Sequence, residues 1–478
     1  MEGTGLYMKV KFSKGAIRAD ALAELFGGIL RDGRGAEIPV GGICTDSREA
    51  DQDTVFCALR GARTDGHEYI ENALAAGCRC VLCEQSNAAL ETAGAAAIVV
   101  KDTELALARF ANAYRQGLSY KSVAVTGSVG KTTAKEMIAS VLETSFSTYK
   151  TAGNHNSVIG MPMSLLEIPS DTQWAVLEMG MSGFGEIERL SIVAEPNVAV
   201  ITNIGTAHIE MLGSRENICR AKLEVLCGLQ EGGTLILNGD EPLLKKIGGK
   251  SYKTLYVSLE RENSDFFANN IRVENGYTLF DITWKHGKEC DLRINVMGRH
   301  NVYAASFAFA VGILSGMEPD DIRLGLSRFS SAGLRQHIEP IGEWTVIADC
   351  YNASPESMIA SLEVLRELSR KTGGRSVAVL GDMLELGAQS CAMHQRVGTK
   401  VASLGIDLLI TLGERGRRIA VGAQRMGMQA VYSLDAPSES NRRQIAEQLR
   451  GWLKSGDVVL FKASRGIKAE QIIEELKE

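Results

Sequence analysis

No stretch of this sequence stays apolar for the roughly 18 residues that a membrane-spanning helix needs. The opening segment MEGTGLYMKVKF lacks the apolar core of a secretory leader, so a cytoplasmic protein is expected. The chain has no basic excess. Its formal net charge is -6, which argues against a general nucleic-acid binder but leaves room for an anionic substrate held by a few local cations. The ten cysteines are scattered and form no disulfide framework, as expected in a reducing compartment. Cys78, Cys80 and Cys83 have the spacing of half a metal site. No second pair follows at zinc-finger distance, so a buried strand is the expectation there. Nothing in the composition, 45% apolar and 23% charged, indicates disorder, a collagen-like chain or a coiled coil.

What remains is a 478-residue α/β sequence, long enough for roughly three domains of about 150 residues. We expect divisions at 1–105, 106–328 and 329–478. From about 40 to 105, VFCALRG, CRCVLCE and AAAIVVKD read as strands around the helix HEYIENALAAG, which Gly77 closes. In the middle part SVAVTG, WAVLEMG, NVAVITN and TLILNGD are short apolar runs of the kind that form buried parallel strands. Each ends in Gly, Asn, Asp or Thr, where α/β sheets bind ligands. Residues from about 253 to 297 alternate apolar with polar and contain Asn275-Gly276, a hairpin signal. They are expected to extend the sheet antiparallel. From 329 on, WTVIADCY, SVAVLGDM, DLLITLG, QAVYSL and DVVLFKAS alternate with helical segments, as in a Rossmann-like domain, yet no GxGxxG follows any of them. The three units are not repeats of one another.

The strongest chemical signal is SVAVTGSVGKTTAKEMIASVLET. An apolar strand runs into Gly127, Ser128, Val129, Gly130, Lys131, Thr132 and Thr133, and a helix follows. Glycines let backbone N–H groups curl around phosphate oxygens. The helix N-terminus adds partial positive charge. Lys131 supplies a full charge and the Thr132 hydroxyl a Mg²⁺ ligand, so ATP or GTP is expected. The loop is shorter than GxxxxGK[ST], because Val125 stands where the first glycine would be. Glu178, at the end of WAVLEMG, has the position of a strand-end acid that holds Mg²⁺ beside phosphates, although many such acids are merely solvated. His208 lies just beyond the strand NVAVITN. Lys222, in NICRAKLEVL, reads on its own as an ordinary helix lysine.

Taken in order, TGSVGKTT, GNHNSVIG, LEMGMSGFGEIERL, NIGTAHIEMLGS, AKLEVL and GRHN resemble the Mur ligase family, from about residue 44 to the C-terminus. TDSRE, ALRGARTDGHEYI, YNASPESM and LGDMLELGAQSCAMH look like the members that add D-alanyl-D-alanine, and the DNPR motif of those that add the third residue is absent. The resemblance implies a three-domain architecture with a central phosphate-loop ATPase domain and a C-terminal Rossmann-like ligase domain. It implies ATP-dependent ligation of D-alanyl-D-alanine to UDP-N-acetylmuramoyl-tripeptide through an acyl phosphate. A monomer is expected, and the sequence leaves the oligomeric state open.

The resemblance also implies roles. Lys131 and Thr132 would bind ATP phosphates and one Mg²⁺, which Glu178 would share. His208 would help hold a second Mg²⁺, and Lys222 would be carbamylated, turning a repelled ammonium into an anionic oxygen ligand. Asn301 and Asp349 would contact the adenosine, and Arg335 the γ-phosphate. Ser47 and Arg48 would lie at the uridine end. Lys462, Ser464 and Arg465 would face the acceptor dipeptide. Three positions depart from the family pattern: Ala304 and Ser354, where Asn is usual, and Ala463, where Gly is usual. Folylpolyglutamate synthetase shares the short loop but lacks a comparable uridine-nucleotide domain. A phosphate-loop switch would not need the set Glu178, His208 and Lys222.

Overall fold

The computed structural model describes residues 8–31, 35–61, 64–86, 88–249, 251–274, 276–331 and 333–477. Residues 62 and 63 of ALRGARTDGHEYI and Asn275 of the hairpin signal lie outside these. Among the described residues no helix is long and apolar enough to cross a membrane.

The chain builds three large sheets in succession, with a two-stranded ribbon of Ile17–Arg18 and Pro39–Val40 beside the first in sequence. The first has six strands, and its four middle ones, Gly42–Cys44, Thr54–Cys57, Cys80–Cys83 and Ala96–Val99, are parallel. Lys9–Lys11 and Ile29–Leu30 close the two edges antiparallel. Strands this short carry too few residues to show a period, which is why residues before 40 are silent in the sequence. Cys80 and Cys83 sit in a fully buried strand, and Cys78 donates to the carbonyls of Thr54 and Cys80. Burial pushes the Cys83 thiol up to about 11, as befits an inert core thiol.

Helix Thr103–Gln116 joins the first sheet to the second. Asp102 caps it by accepting from the Leu105 amide. Phe110 and Tyr114 on its buried face meet Phe12 and Phe26, with ring centroids 4.7–6.0 Å apart. The helix also packs on Gly160–Leu165 and Glu186–Ala194 of the middle part. The expected division at 105/106 therefore falls within its first turn.

The second sheet has nine strands. Six ladders from Thr148–Lys150 to Phe266–Glu274 are parallel, and Phe266–Glu274, Tyr277–Trp284 and Gly287–Ile294 form an antiparallel meander at one edge. The expected antiparallel extension is thus corrected at its start. Lys253–Ser258 pairs parallel with Thr234–Asn238 through five positions. The connection between them is long enough for a crossover, and a crossover returns the chain in the same direction. Helices Lys131–Leu142 and Arg299–Leu314 pack together beside this sheet.

The third sheet runs in the order His337–Ile341, Trp344–Ala348, Val458–Lys462, Ser376–Gly381, Leu408–Leu412 and Val431–Leu434. All ladders are parallel except the first, a hairpin edge that the sequence reading did not contain.

Candidate functional site

In the second sheet, strand Lys121–Thr126 lies between Trp174–Glu178 and Val198–Ile201. The chain leaves the central strand to one side and later returns to the other, so loops diverge at its C-terminal end and open a crevice. The phosphate loop fills that position. Val125 is a fully buried strand residue paired with both Glu178 and Val200, which explains why no glycine is required there. Gly127 is required: a Cβ on it would fall 1.8 Å from Thr202 Oγ1. Gly130, at φ 80°, turns the chain into helix Lys131–Leu142.

The loop is braced from the neighbouring strand end. Thr202 donates to the Val129 carbonyl at 2.7 Å. Asn203 Oδ1 accepts from the amides of Ser128 and Val129 at 3.2 and 2.9 Å. Lys131 is half-buried and donates to the Gly127 carbonyl at 3.0 Å. Burial lowers its pKa, the Glu178 carboxylate opposes this, and Arg335 from the third domain lowers it further. Arg335 lines the same cleft as the phosphate loop.

Thr132 donates to Glu178 Oε2 at 2.7 Å, and Asn156 Nδ2 to Glu178 Oε1 at 2.7 Å. The fully buried Lys135 donates to the Thr151 carbonyl at 2.6 Å and stands 4.0 Å from Glu178 Oε2. Thr151 Oγ1 accepts from the Glu178 amide. Glu178 is thus a held carboxylate rather than a solvated strand end. Its oxygens and the Thr132 hydroxyl are hard donors of the kind Mg²⁺ takes. His208, at φ 62°, presents Nδ1 to Glu385 Oε2 at 2.6 Å. An imidazole fixed at one nitrogen by a carboxylate is the usual arrangement of a metal-ligating histidine.

Lys222 is fully buried, and no carboxylate pairs with it among the described residues. Burial holds its pKa well below the ordinary lysine value, and Lys131 adds to the effect.

The third domain covers this crevice and makes a cleft of about 1160 Å³. Of the residues expected from sequence, the cleft brings together Ser128 to Thr133, Glu178, His208, Asn301, Arg335, Asp349, Lys462, Ser464 and Arg465. Gly127 and Lys222 lie outside its lining, and so do Ser47 and Arg48. Ser47 and Arg48 follow strand Gly42–Cys44 in the first domain, where Arg48 makes a two-pronged contact with Asp46.

Also lining the cleft, Asn301 Nδ2 donates to Gln336 Oε1 at 2.8 Å, and the Gln336 backbone N–H donates to Asp349 Oδ1 at 3.3 Å. Gln336 thus links the two residues, through its side chain to Asn301 and through its backbone N–H to Asp349. Lys462 is engaged, donating to Asp349 Oδ2 at 2.6 Å and to the Asn352 carbonyl at 3.2 Å. Ser464 Oγ accepts from the Leu384 amide at 3.0 Å. Arg465 is exposed and makes no hydrogen bond or ion pair through its side chain among the described residues.

The departures from the family pattern are accommodated. Ala463 is fully buried with its methyl toward Gly381, whose own Cβ would clash at 2.7 Å. Ser354 caps helix Pro355–Thr372 in a reciprocal box with Ser357. Ala304 lines the cleft.

Sequence reasoning missed Thr202, Asn203, Asn156, Lys135, Tyr351, Glu356 and Glu385. Asn203 stands at a strand end and Asn156 lies in GNHNSVIG, so their motifs were visible. Their partners were not.

The fold and site define a three-domain phosphate-loop α/β protein with a held acid beside the loop. The chain matches the Mur ligase family catalytic domain over residues 39–115, the Mur ligase middle domain over 125–312, and the Mur ligase glutamate ligase domain over 335–465. It is 39% identical over 459 residues to the UDP-N-acetylmuramoyl-tripeptide–D-alanyl-D-alanine ligase of Bacillus subtilis (strain 168), covering 96% of this chain and 97% of that one. The MurF crystal structure from Acinetobacter baumannii superimposes with a TM-score of 0.88 at 31% identity, over 97% of this chain and 99% of that one. MurF from Thermotoga maritima in complex with ADP superimposes with a TM-score of 0.81 at 28% identity, over 91% and 96%. This chain belongs to the Mur ligase family.

Proposed function

We propose that this protein is the ATP-dependent ligase that joins D-alanyl-D-alanine to UDP-N-acetylmuramoyl-tripeptide in peptidoglycan synthesis, acting in the cytoplasm as a monomer. The observation that carries the reading is the near full-length likeness to a ligase of that activity, combined with a cleft in which a phosphate loop faces Arg335 and Arg465 of the third domain, which have no ion-pair partner among the described residues.

A carboxylate does not condense with an amine, because oxide is a poor leaving group. The tripeptide carboxylate attacks the γ-phosphorus of ATP, giving an acyl phosphate and ADP. The dipeptide amine then attacks the acyl carbon, phosphate leaves with the bonding pair, and the amine loses its proton. Residues 1–105 hold the uridine nucleotide, with Ser47 and Arg48 at the uridine end. Residues 106–328 bind ATP, and 329–478 present the acceptor.

Gly127 to Thr133 offer backbone amides to the phosphates, and Lys131 offsets the repulsion between carboxylate and phosphate. Asn301 and Asp349 hold the adenosine. Arg335 reaches the γ-phosphate from the third domain, so its charge arrives only when that domain covers the loop, which also excludes water. Lys462, Ser464 and Arg465 form the acceptor side, with Arg465 carrying the free charge for the dipeptide carboxylate. Thr132 and Glu178 would hold one Mg²⁺, and His208 with a carbamylated Lys222 a second. These ions would supply positive charge at the transferring phosphoryl group.

The test is ADP release with UDP-muramoyl-tripeptide and ATP, with and without D-alanyl-D-alanine. Release that depends on the dipeptide and yields the pentapeptide is expected. ADP release indifferent to any amine would rule the reading out.

A further inference from the structure

We propose that Tyr351 is a positioning residue whose ring holds Arg335 and Arg465 together as one preformed anion-binding unit. The guanidinium carbon of Arg335 lies 3.9 Å from the centroid of the Tyr351 ring, and that of Arg465 lies 5.5 Å from it. Among the described residues neither guanidinium has a hydrogen bond or a carboxylate partner, so the ring is the group both touch. The inference rests on the ligase reading, in which one arginine serves the phosphate and the other the acceptor carboxylate.

The register of the third sheet brings the three side chains to one place. His337 pairs with Ala348 in the hairpin, and Ala348 pairs with Phe461 in the parallel ladder. Arg335 precedes the first of these positions, Tyr351 follows the second and Arg465 follows the third. The three residues therefore emerge at the same end of adjacent strands, beside the phosphate loop. Two like charges brought together repel, and long arginine side chains lose rotamer freedom when fixed. The negative face of an aromatic ring offsets both costs without neutralising either cation, as a carboxylate would. Both arginines stay fully available to an incoming anion, and both are oriented before it arrives. The phenol oxygen has no hydrogen bond among the described residues, so the ring and not the hydroxyl is the working part.

The test compares Tyr351→Phe with Tyr351→Leu in the full chain. Tyr351→Phe keeps the platform and should stay within about twofold of the parent in all constants. Tyr351→Leu should raise the KM for D-alanyl-D-alanine and lower kcat/KM for ATP by roughly tenfold each, the scale of a partly desolvated cation–ring contact. The KM for the UDP-tripeptide should barely move.

A second readout needs no turnover. The side-chain Nε–H resonances of Arg335 and Arg465 should be shifted upfield by the ring in the parent and in Tyr351→Phe, and should return to ordinary positions in Tyr351→Leu. An inactive parent with shifted arginine signals would overturn the ligase reading and leave the platform standing. Unshifted arginine signals in the parent, a harmless Tyr351→Leu, or a Tyr351→Phe as damaged as Tyr351→Leu would each overturn the platform.

Discussion

His208 Nδ1 and Glu385 Oε2 lie 2.6 Å apart, although one residue follows a strand of the second sheet and the other a strand of the third. Nearby, Thr206 donates to both carboxylate oxygens of Glu356 at 3.1 Å. Two acids of the third domain thus fasten it to the loop 206–208 of the second. Each partly exposed contact is worth at most about 1 kcal/mol, or roughly fivefold in the closed population. Glu385→Ala combined with Glu356→Ala should therefore open the molecule. Small-angle scattering should show a larger radius of gyration, with a melting temperature that changes little. An unchanged radius would show that closure rests on other contacts.

Lys131→Ala should lower turnover by at least about a hundredfold, since a lost charge at a transferring phosphoryl group costs several kcal/mol. The loop is half-buried but held by Thr202 and Asn203, so circular dichroism should stay native. Near-normal turnover in the folded variant would sink the phosphate-loop assignment.

Lys222 has the burial and depressed basicity that carbamylation needs. Labelled bicarbonate should give a carbamate carbon signal in the parent that is lost in Lys222→Ala. That variant should lose activity and regain part of it with short carboxylic acids. A fully active protein with no carbamate signal would refute this.

Asp349 and Lys462 form a buried pair at 2.6 Å. Burial alone would raise the Asp349 pKa, but the Lys462 charge and hydrogen bond, with help from Ser361, outweigh it and hold the carboxyl below its ordinary value. A depressed folded pKa contributes stability above about pH 3.9 that is lost as pH falls through the folded value. Lys462→Met strands the carboxylate and should destabilise by about 3–5 kcal/mol at neutral pH. The loss should shrink in acid, where Asp349 takes up a proton. Urea denaturation at both pH values checks this, and an equal loss at both would contradict it.

Arg465→Ala should raise the KM for D-alanyl-D-alanine roughly tenfold, as a lost charged hydrogen bond of about 1.5–3 kcal/mol requires. Neither the ATP nor the UDP-tripeptide value should move comparably. A parallel rise in all three would assign the loop to domain closure instead.

The sequence alone determined the α/β class, most of the strands, the phosphate loop and the strand ends that carry Glu178 and His208. These are local matters: apolar runs of strand length, glycines where the backbone must turn, and a lysine and hydroxyl at a helix start. It also carried the family likeness in the order of its motifs. It did not reveal the short edge strands, because two or three residues show no period, or the parallel pairing of Lys253–Ser258, because direction depends on the crossover. Above all it could not rank its cations. Lys222, Lys462 and Arg465 read alike as basic residues. Only the tertiary structure buried the first with no carboxylate partner among the described residues, gave the second to Asp349 and left the third over the ring of Tyr351. A charge is used according to what surrounds it, and those surroundings come from segments far apart in the chain.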